Sequence, residues 1–272
     1  MMQSETASVE PTSRYKKAML DAAVEWMKWL EDYPGWREWR SARVRHALYE
    51  DDFLPNSVEE QPHEFVFSDV VERQHSVVLQ YLRLQQTTTS LKECEYYFRR
   101  FPFRGLPVTH SDHITNICEM YFGRFYEFRE RLRKYLNALA SAAPTHRIDV
   151  GRFIKVFDKE FDGELRARNS VHHHERFEDQ AIDRVFLAHV ASTGRSGNGW
   201  EAERQAAYRK VTREWVARVR RRASKLDEFM EAAAQLTLIS CDFLSTPTPP
   251  YVAKSQPPSD DQTLKPGAGP SQ

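Results

Sequence analysis

The stretch between Ile114 and Leu139 does most to limit what this chain can become. Ile114, Ile117, Tyr121, Phe125, Phe128, Leu132, Tyr135 and Leu139 recur at steps of three and four. At 100° per residue that spacing keeps them on one stripe of a helix for about seven turns, until Pro144 stops it. A strand would scatter the same residues over both its faces, so an amphipathic helix is the spine against which the rest must pack. Only 10 of 272 residues are glycine, about half the usual share, which leaves few tight turns. The fold class expected is all-α, a bundle of long antiparallel helices.

Other segments repeat the pattern. Tyr15, Met19, Ala22, Trp26, Trp29, Leu30 and Tyr33 mark a helix that Pro34-Gly35 ends, and a second helix is expected over 36–50. Residues 51–67 hold Pro55 and Pro62 and read as a long loop, extended at 64–67. Ser68 or Asp69 can cap a helix running through Val78 and Tyr81 toward Phe101, with a kink or break at Thr87-Thr88-Thr89-Ser90, four poor helix formers. A continuous helix from about Asp149 would bury Phe153, Phe157, Phe161 and Leu165. After a flexible loop at Gly194, Gly197 and Gly199, a last long helix carries Tyr208, Val211, Trp215, Val219, Leu226, Met230 and Ala233 on one side. Residues 1–11 are polar, and from Thr246 on 7 of the 14 prolines fall in 27 residues, so both ends are expected to be disordered. The expected plan is one helical domain over 12–245, a disordered terminus at 1–11 and a disordered Pro-rich tail at 246–272.

Lys plus Arg and Asp plus Glu each number 39, so no global field draws in nucleic acid or an anionic membrane, and any polyanion site must be a local patch. Cys94, Cys118 and Cys241 are far apart and form no C-x-x-C pair, which reads as buried thiols in a reducing compartment. The amino terminus lacks the apolar core of a signal peptide, and the longest uncharged run among the helices, 232–241, falls far short of the ~20 apolar residues a span requires. A cytoplasmic protein with no membrane contact is expected. No P-loop, G-x-G-x-x-G or G-x-S-x-G pattern occurs, which argues against nucleotide hydrolases, dinucleotide enzymes and α/β-hydrolases.

The chemistry concentrates in Arg168-Asn169-Ser170-Val171-His172-His173-His174, which puts a permanent cation, an amide and three imidazoles within two helical turns. With 28 Arg and 10 His, an Arg five positions before a His is expected about once by chance, and Arg184 with His189 is a second instance. Requiring Asn directly after the Arg lowers the expectation to roughly 0.02, and only Arg168 satisfies it. The matching set, Arg168, Asn169 and His173, resembles the signature of the HEPN superfamily, and His172 and the run Glu175-Arg176-Phe177-Glu178-Asp179 look like its bacterial branches. The resemblance covers about residues 68–245 and implies a helical bundle, commonly a homodimer, often a metal-independent endoribonuclease in toxin, defence or RNA-processing systems. Some members are catalytically silent, which leaves an RNA- or protein-binding module as the alternative.

In the catalytic reading RNA is cut by its own 2′-hydroxyl, with no cofactor or metal. His173 is the general base or acid, Arg168 holds phosphate oxygens bidentately, and Asn169 orients one of them or fixes a tautomer. A second proton carrier comes either from His172, which shares Arg168's face on a regular helix, or from the second copy of a dimer. An antitoxin or other partner protein would accompany a toxin role. Arg218, Arg221, Arg222 and Lys225 in the densest basic cluster are the expected contacts to an RNA backbone. Blander readings stand beside these: Arg and His near a helix carboxyl end satisfy free carbonyls, and a basic cluster is usually a solvated face. His110, Asp112 and His113 raise a metal pocket as a rival, or else form a solvated first turn. Trp36-Arg37-Glu38-Trp39-Arg40 with Arg43 and Arg45 can stack bases, or pack between helices with the arginines wet.

Overall fold

Apolar stripes need other stripes to face, and eight helices among the described residues supply them. A computed structural model describes residues 13–50, 63–103, 105–173, 176–194 and 199–245, with the backbone alone for 48–50, 172, 173 and 194. The helices are α1 (Arg14–Leu30), α2 (Trp36–Glu50), α3 (Asp69–Arg99), α4 (His110–Ala142), α5 (Val150–Glu160), α6 (Asp162–His173), α7 (Gln180–Gly194) and α8 (Trp200–Ser240). Single 3₁₀ turns follow α4 and α8, and the described residues contain no strand. No helix among them is long and apolar enough to cross a membrane. The expectations for 1–11, for the loop over 51–62 and for the tail at 246–272 lie outside the described residues.

α3 and α4 run antiparallel: Tyr81 meets Tyr135 at one end (ring centroids 5.8 Å apart), and at the other His113 Nε2 lies 2.8 Å from the Arg100 carbonyl. α8 lies against both, with Trp215 stacked on Phe98 at 5.3 Å and the Tyr135 hydroxyl bonded to Thr237. α5 and α6 cross back over α4, placing Phe157 on Phe128 and Phe161 on Phe125. Tyr121, Phe122, Phe125, Phe128, Phe157 and Phe161 are all 0 % exposed, and each fully buried side chain of this size contributes roughly 1.5–3 kcal/mol. α1 is fastened to α8 by Glu231, which accepts the otherwise orphan N–H groups of Tyr15 (2.7 Å) and Lys16 (3.0 Å). The three cysteines are buried and free, and burial pushes the Cys94 thiol up to about 11.

A smaller core joins α1, residues 63–68 and the start of α3 around Trp26, Leu30, Phe67, Val71 and Val78. Trp36 stacks on Trp39 at 5.0 Å, both rings lie against Phe65, and the Trp39 indole N–H donates to the His63 carbonyl at 2.6 Å. These tryptophans are therefore engaged in packing.

Two local expectations change, and one helix was not foreseen. α3 passes through Thr87–Ser90 unbroken, because the hydroxyls of Thr87, Thr88 and Thr89 each donate to the carbonyl four residues back (3.0, 3.1 and 3.2 Å) while Thr87 and Thr88 face the core. Burial on that face outweighs a propensity cost of a few tenths of a kcal/mol per residue, an order-of-magnitude figure. The helix beginning at Val150 is not continuous: Phe161, at φ −111° and ψ 23°, ends α5, and α6 restarts at Asp162-Gly163. α7 is the unforeseen helix. It buries Ile182, Val185 and Ala188, yet leaves Phe186, Leu187 and Val190 at least half exposed, so no clean stripe marks it in the sequence.

Candidate functional site

The bend at Phe161 sets where the Arg168 motif goes. It sinks Phe161 into the core and turns Glu164, one helical turn on, inward to 0 % exposure. A buried carboxylate needs partners, and two come from α8. Glu164 Oε1 accepts from Arg218 Nε (3.2 Å) and Nη2 (3.0 Å) and from Arg222 Nε (3.1 Å). The Arg218 guanidinium also lies over the rings of Trp215 (4.8 Å) and Phe122 (5.4 Å). This buried group clamps α6 onto α8.

Arg168 follows Glu164 by one turn on the same face and is half-buried. Its guanidinium lies 4.0 Å from the centre of the Tyr126 ring on α4, and Nη1 donates to Asn169 Oδ1 at 3.3 Å. Its neighbour Arg166 is paired with Asp162, whereas no carboxylate pairs with Arg168 among the described residues. Asn169 is exposed. His172 and His173 occupy the last turn of α6, so the helix persists through both; the 100° step keeps the His172 backbone position near Arg168's face and turns His173 about 140° away. Their imidazoles, and His174 entirely, lie outside the described residues.

Beyond α6 the chain is tied back to α4. Arg176 donates to Asp112 Oδ1 and Asn116 Oδ1 (3.2 Å each), the Phe177 N–H to Glu119 (3.2 Å), and the Phe177 ring packs on Phe122. Asp179 caps α7 by accepting from Ala181 N at 2.8 Å.

The basic cluster of α8 is divided. Arg218 and Arg222 face Glu164, Arg220 forms a two-point pair with Glu95 of α3 (3.0 and 2.9 Å), and Lys225 pairs with Glu228 at 2.9 Å. Arg221 is exposed and has no carboxylate partner among the described residues. The histidines at the start of α4 are not a solvated turn: His113 is buried on the Arg100 carbonyl, which makes its Nε2 a donor, and His110 stacks on Phe101 at 4.0 Å. Asp112 instead serves Thr109 and Arg176, and no three His, Cys, Asp or Glu among the described residues converge as metal ligands.

Sequence reasoning missed a second polar cluster. His110, Glu201, Arg204, Gln205, Tyr208 and Arg209 line a cavity of about 170 Å³. Arg204 Nη1 reaches His189 Nδ1 at 3.1 Å and Nη2 reaches Glu201 at 2.6 Å, while Arg204 Nε and the Tyr208 hydroxyl have no partner among the described residues. Burial first, then the Arg204 charge, holds His110 below the usual imidazole value. Its members come from α4, α7 and α8, so no spacing announces it. Two larger hollows lie elsewhere: an apolar one of about 550 Å³ lined by Leu132, Phe153, Val156 and Phe229, and an arginine-lined groove of about 680 Å³ between α3 and α8. None of the three is lined by Arg168 or Asn169.

Compared with models of known protein families, with curated proteins and with solved structures, the chain matches none. The HEPN resemblance therefore rests on the motif residues and the helical fold alone.

Proposed function

We propose that the chain is a metal-independent endoribonuclease of HEPN type, built around Arg168. One observation carries the reading. Arg168 is a half-buried guanidinium 4.0 Å over the centre of the Tyr126 ring without a carboxylate partner among the described residues, one turn before two histidines. A cation so placed has donors to spare for a phosphate, and its planar fork suits two oxygens at once. In the reaction a histidine, His173 by the motif, takes the proton of the substrate's 2′-hydroxyl, and that oxygen attacks the adjacent phosphorus. The bond to the 5′-oxygen breaks, a second imidazole protonates the leaving oxygen, and a 2′,3′-cyclic phosphate remains. Arg168 neutralises charge building on the phosphoryl oxygens, with Asn169 beside it.

Since none of the three hollows described above is lined by Arg168, the reading takes its cleft, and its second proton carrier from His172 or His173, from another copy in a homodimer. A cytoplasmic toxin or defence role, with an antitoxin or other partner protein, follows from the same resemblance. One observation favours a second reading: Arg168 already engages Tyr126 and Asn169 in the single chain, as in a catalytically silent helical module that binds RNA or protein through this face. Incubation of the purified protein with RNA in EDTA separates them. Cleavage leaving cyclic phosphate ends, lost in Arg168→Ala and His173→Ala and not restored by Arg168→Lys, supports the nuclease; an intact RNA, or cleavage that needs added metal, rejects it.

A further inference from the structure

α8 has two basic flanks on either side of its buried stripe Ala207, Val211, Trp215 and Val219. One flank, Arg218 and Arg222, is engaged by Glu164. The other opens into the 680 Å³ groove, whose arginines are Arg213, Arg220 and Arg221 of α8 and Arg99 of α3, over a floor of Val216 and Ala217. Glu95 is the carboxylate that reaches this set, accepting from Arg220 and, at 2.6 Å, from Arg99. Arg213 gives its Nε to the Arg209 carbonyl of its own helix at 3.1 Å and finds no carboxylate among the described residues; neither does Arg221. Four guanidiniums against one carboxylate leave a concentrated positive field in a chain whose formal net charge is zero. The same flank continues toward the amino end of α8 to Arg209, at the rim of the small cavity. From Arg209 to Arg221 the helix rises about 18 Å.

We propose that this groove binds a run of phosphate esters, the chemistry shared by a nucleic-acid backbone and a nucleoside polyphosphate. Guanidinium forks exposed at successive turns match phosphate oxygens repeated along a line, and the small side chains of Ala217 and Val216 let a rod-shaped ligand lie close to the helix. The assignment does not rest on the cleavage reading. Arg168 sits on the opposite side of α8, beyond Arg218 and Glu164, and faces α4.

The test is fluorescence anisotropy of the full chain with a labelled single-stranded 16-nucleotide DNA, which lacks the 2′-hydroxyl and so keeps binding apart from cleavage. Binding should weaken steeply with salt, and Arg213→Glu with Arg221→Glu should lower affinity on the order of tenfold or more and flatten the log-log salt slope by about 0.7 for each phosphate no longer neutralised. Arg213→Gln with Arg221→Gln is the milder pair should charge reversal disturb folding, and melting curves check both. Lys155→Glu, an exposed charge on α5, should change nothing. ATP displacing the DNA at equal phosphate concentration would identify a nucleotide-sized ligand; failure of ATP alone would identify the polymer. The proposal is overturned if the wild type binds neither at low salt, if the folded double variants bind as it does, or if polyglutamate competes as well as the oligonucleotide.

Discussion

Arg218 and Arg221 stand less than one turn apart on α8 and lead opposite lives. Arg218 is drawn in by a fully buried carboxylate and three aromatic rings; Arg221 borders an open groove with no acid beside it among the described residues. The residue type, the helix and the local sequence are the same. What differs is the element across the interface: α6 presents Glu164 to one flank, while α3 presents Glu95 and Arg99 to the other. Whether an arginine holds the fold or stays available to a ligand is decided by what it meets, and about 60° of helix rotation is enough to change that.

The sharpest way to break this contrast is to remove Glu164. Glu164→Ala leaves Arg218 without a carboxylate and Arg222 with Glu160 alone, and should cost up to about 3–5 kcal/mol in urea unfolding, the range for stripping one partner from a buried pair. A loss under 1 kcal/mol would mean that α6 is held by its apolar contacts alone. Next in size is Tyr126→Ala, which removes the platform beneath Arg168; a cation over an aromatic ring contributes about 0.5–2 kcal/mol, and RNA cleavage should fall with it while Tyr126→Phe retains most of both.

Smaller still is the acid limb of the open flank. The Arg220 hydrogen bond, with Arg99 adding to it, holds the Glu95 carboxyl below its usual value in the folded chain. A depressed folded value means stability present above the unfolded carboxylate value, near 4.3, and lost as pH falls through the folded one. The stability gap between the wild type and Glu95→Gln should therefore be flat above about pH 5 and close below 4, and should stay under ~1 kcal/mol because the pair is solvent-exposed. Least of all, Arg213→Ala and Arg221→Ala should each shift stability by no more than about 0.5 kcal/mol. If either matched Glu164→Ala, the two flanks would not differ in kind.

The spine was readable because Tyr121 through Leu139 bury one face without exception, and periodicity reports burial. The break at Phe161 was not, since Phe157, Phe161 and Leu165 keep helical spacing across it and only Asp162-Gly163 hint at a restart. α7 escaped because Phe186, Leu187 and Val190 place apolar residues on its outer face, erasing the contrast that a stripe needs. Around the motif, the Arg168 position was legible from its chemistry, but its Tyr126 platform was not, for 42 residues separate the two. His110, His189 and Arg204 come together from three helices, so no spacing could have joined them. The basic run at 218–225 misled in a different way: neighbours in sequence looked like one patch, although the buried Trp215 and Val219 already implied that Arg222 and Arg218 lie within about 80° of the buried direction while Arg221 is turned about 140° away from it.

The Glu164 clamp also fixes an order of events. Its acid belongs to α6, but both of its guanidiniums lie more than fifty residues downstream, at 218 and 222. A chain growing from its amino end therefore makes the motif helix well before the groups that let Glu164 enter the core. Until α8 has emerged, burying that carboxylate costs several kcal/mol, an order-of-magnitude penalty for an unpaired ion, and α6 gains by staying in water. The candidate centre is thus among the last parts of the molecule to assemble during synthesis, and a nascent chain halted within α7 would carry the Arg168 motif without its seat.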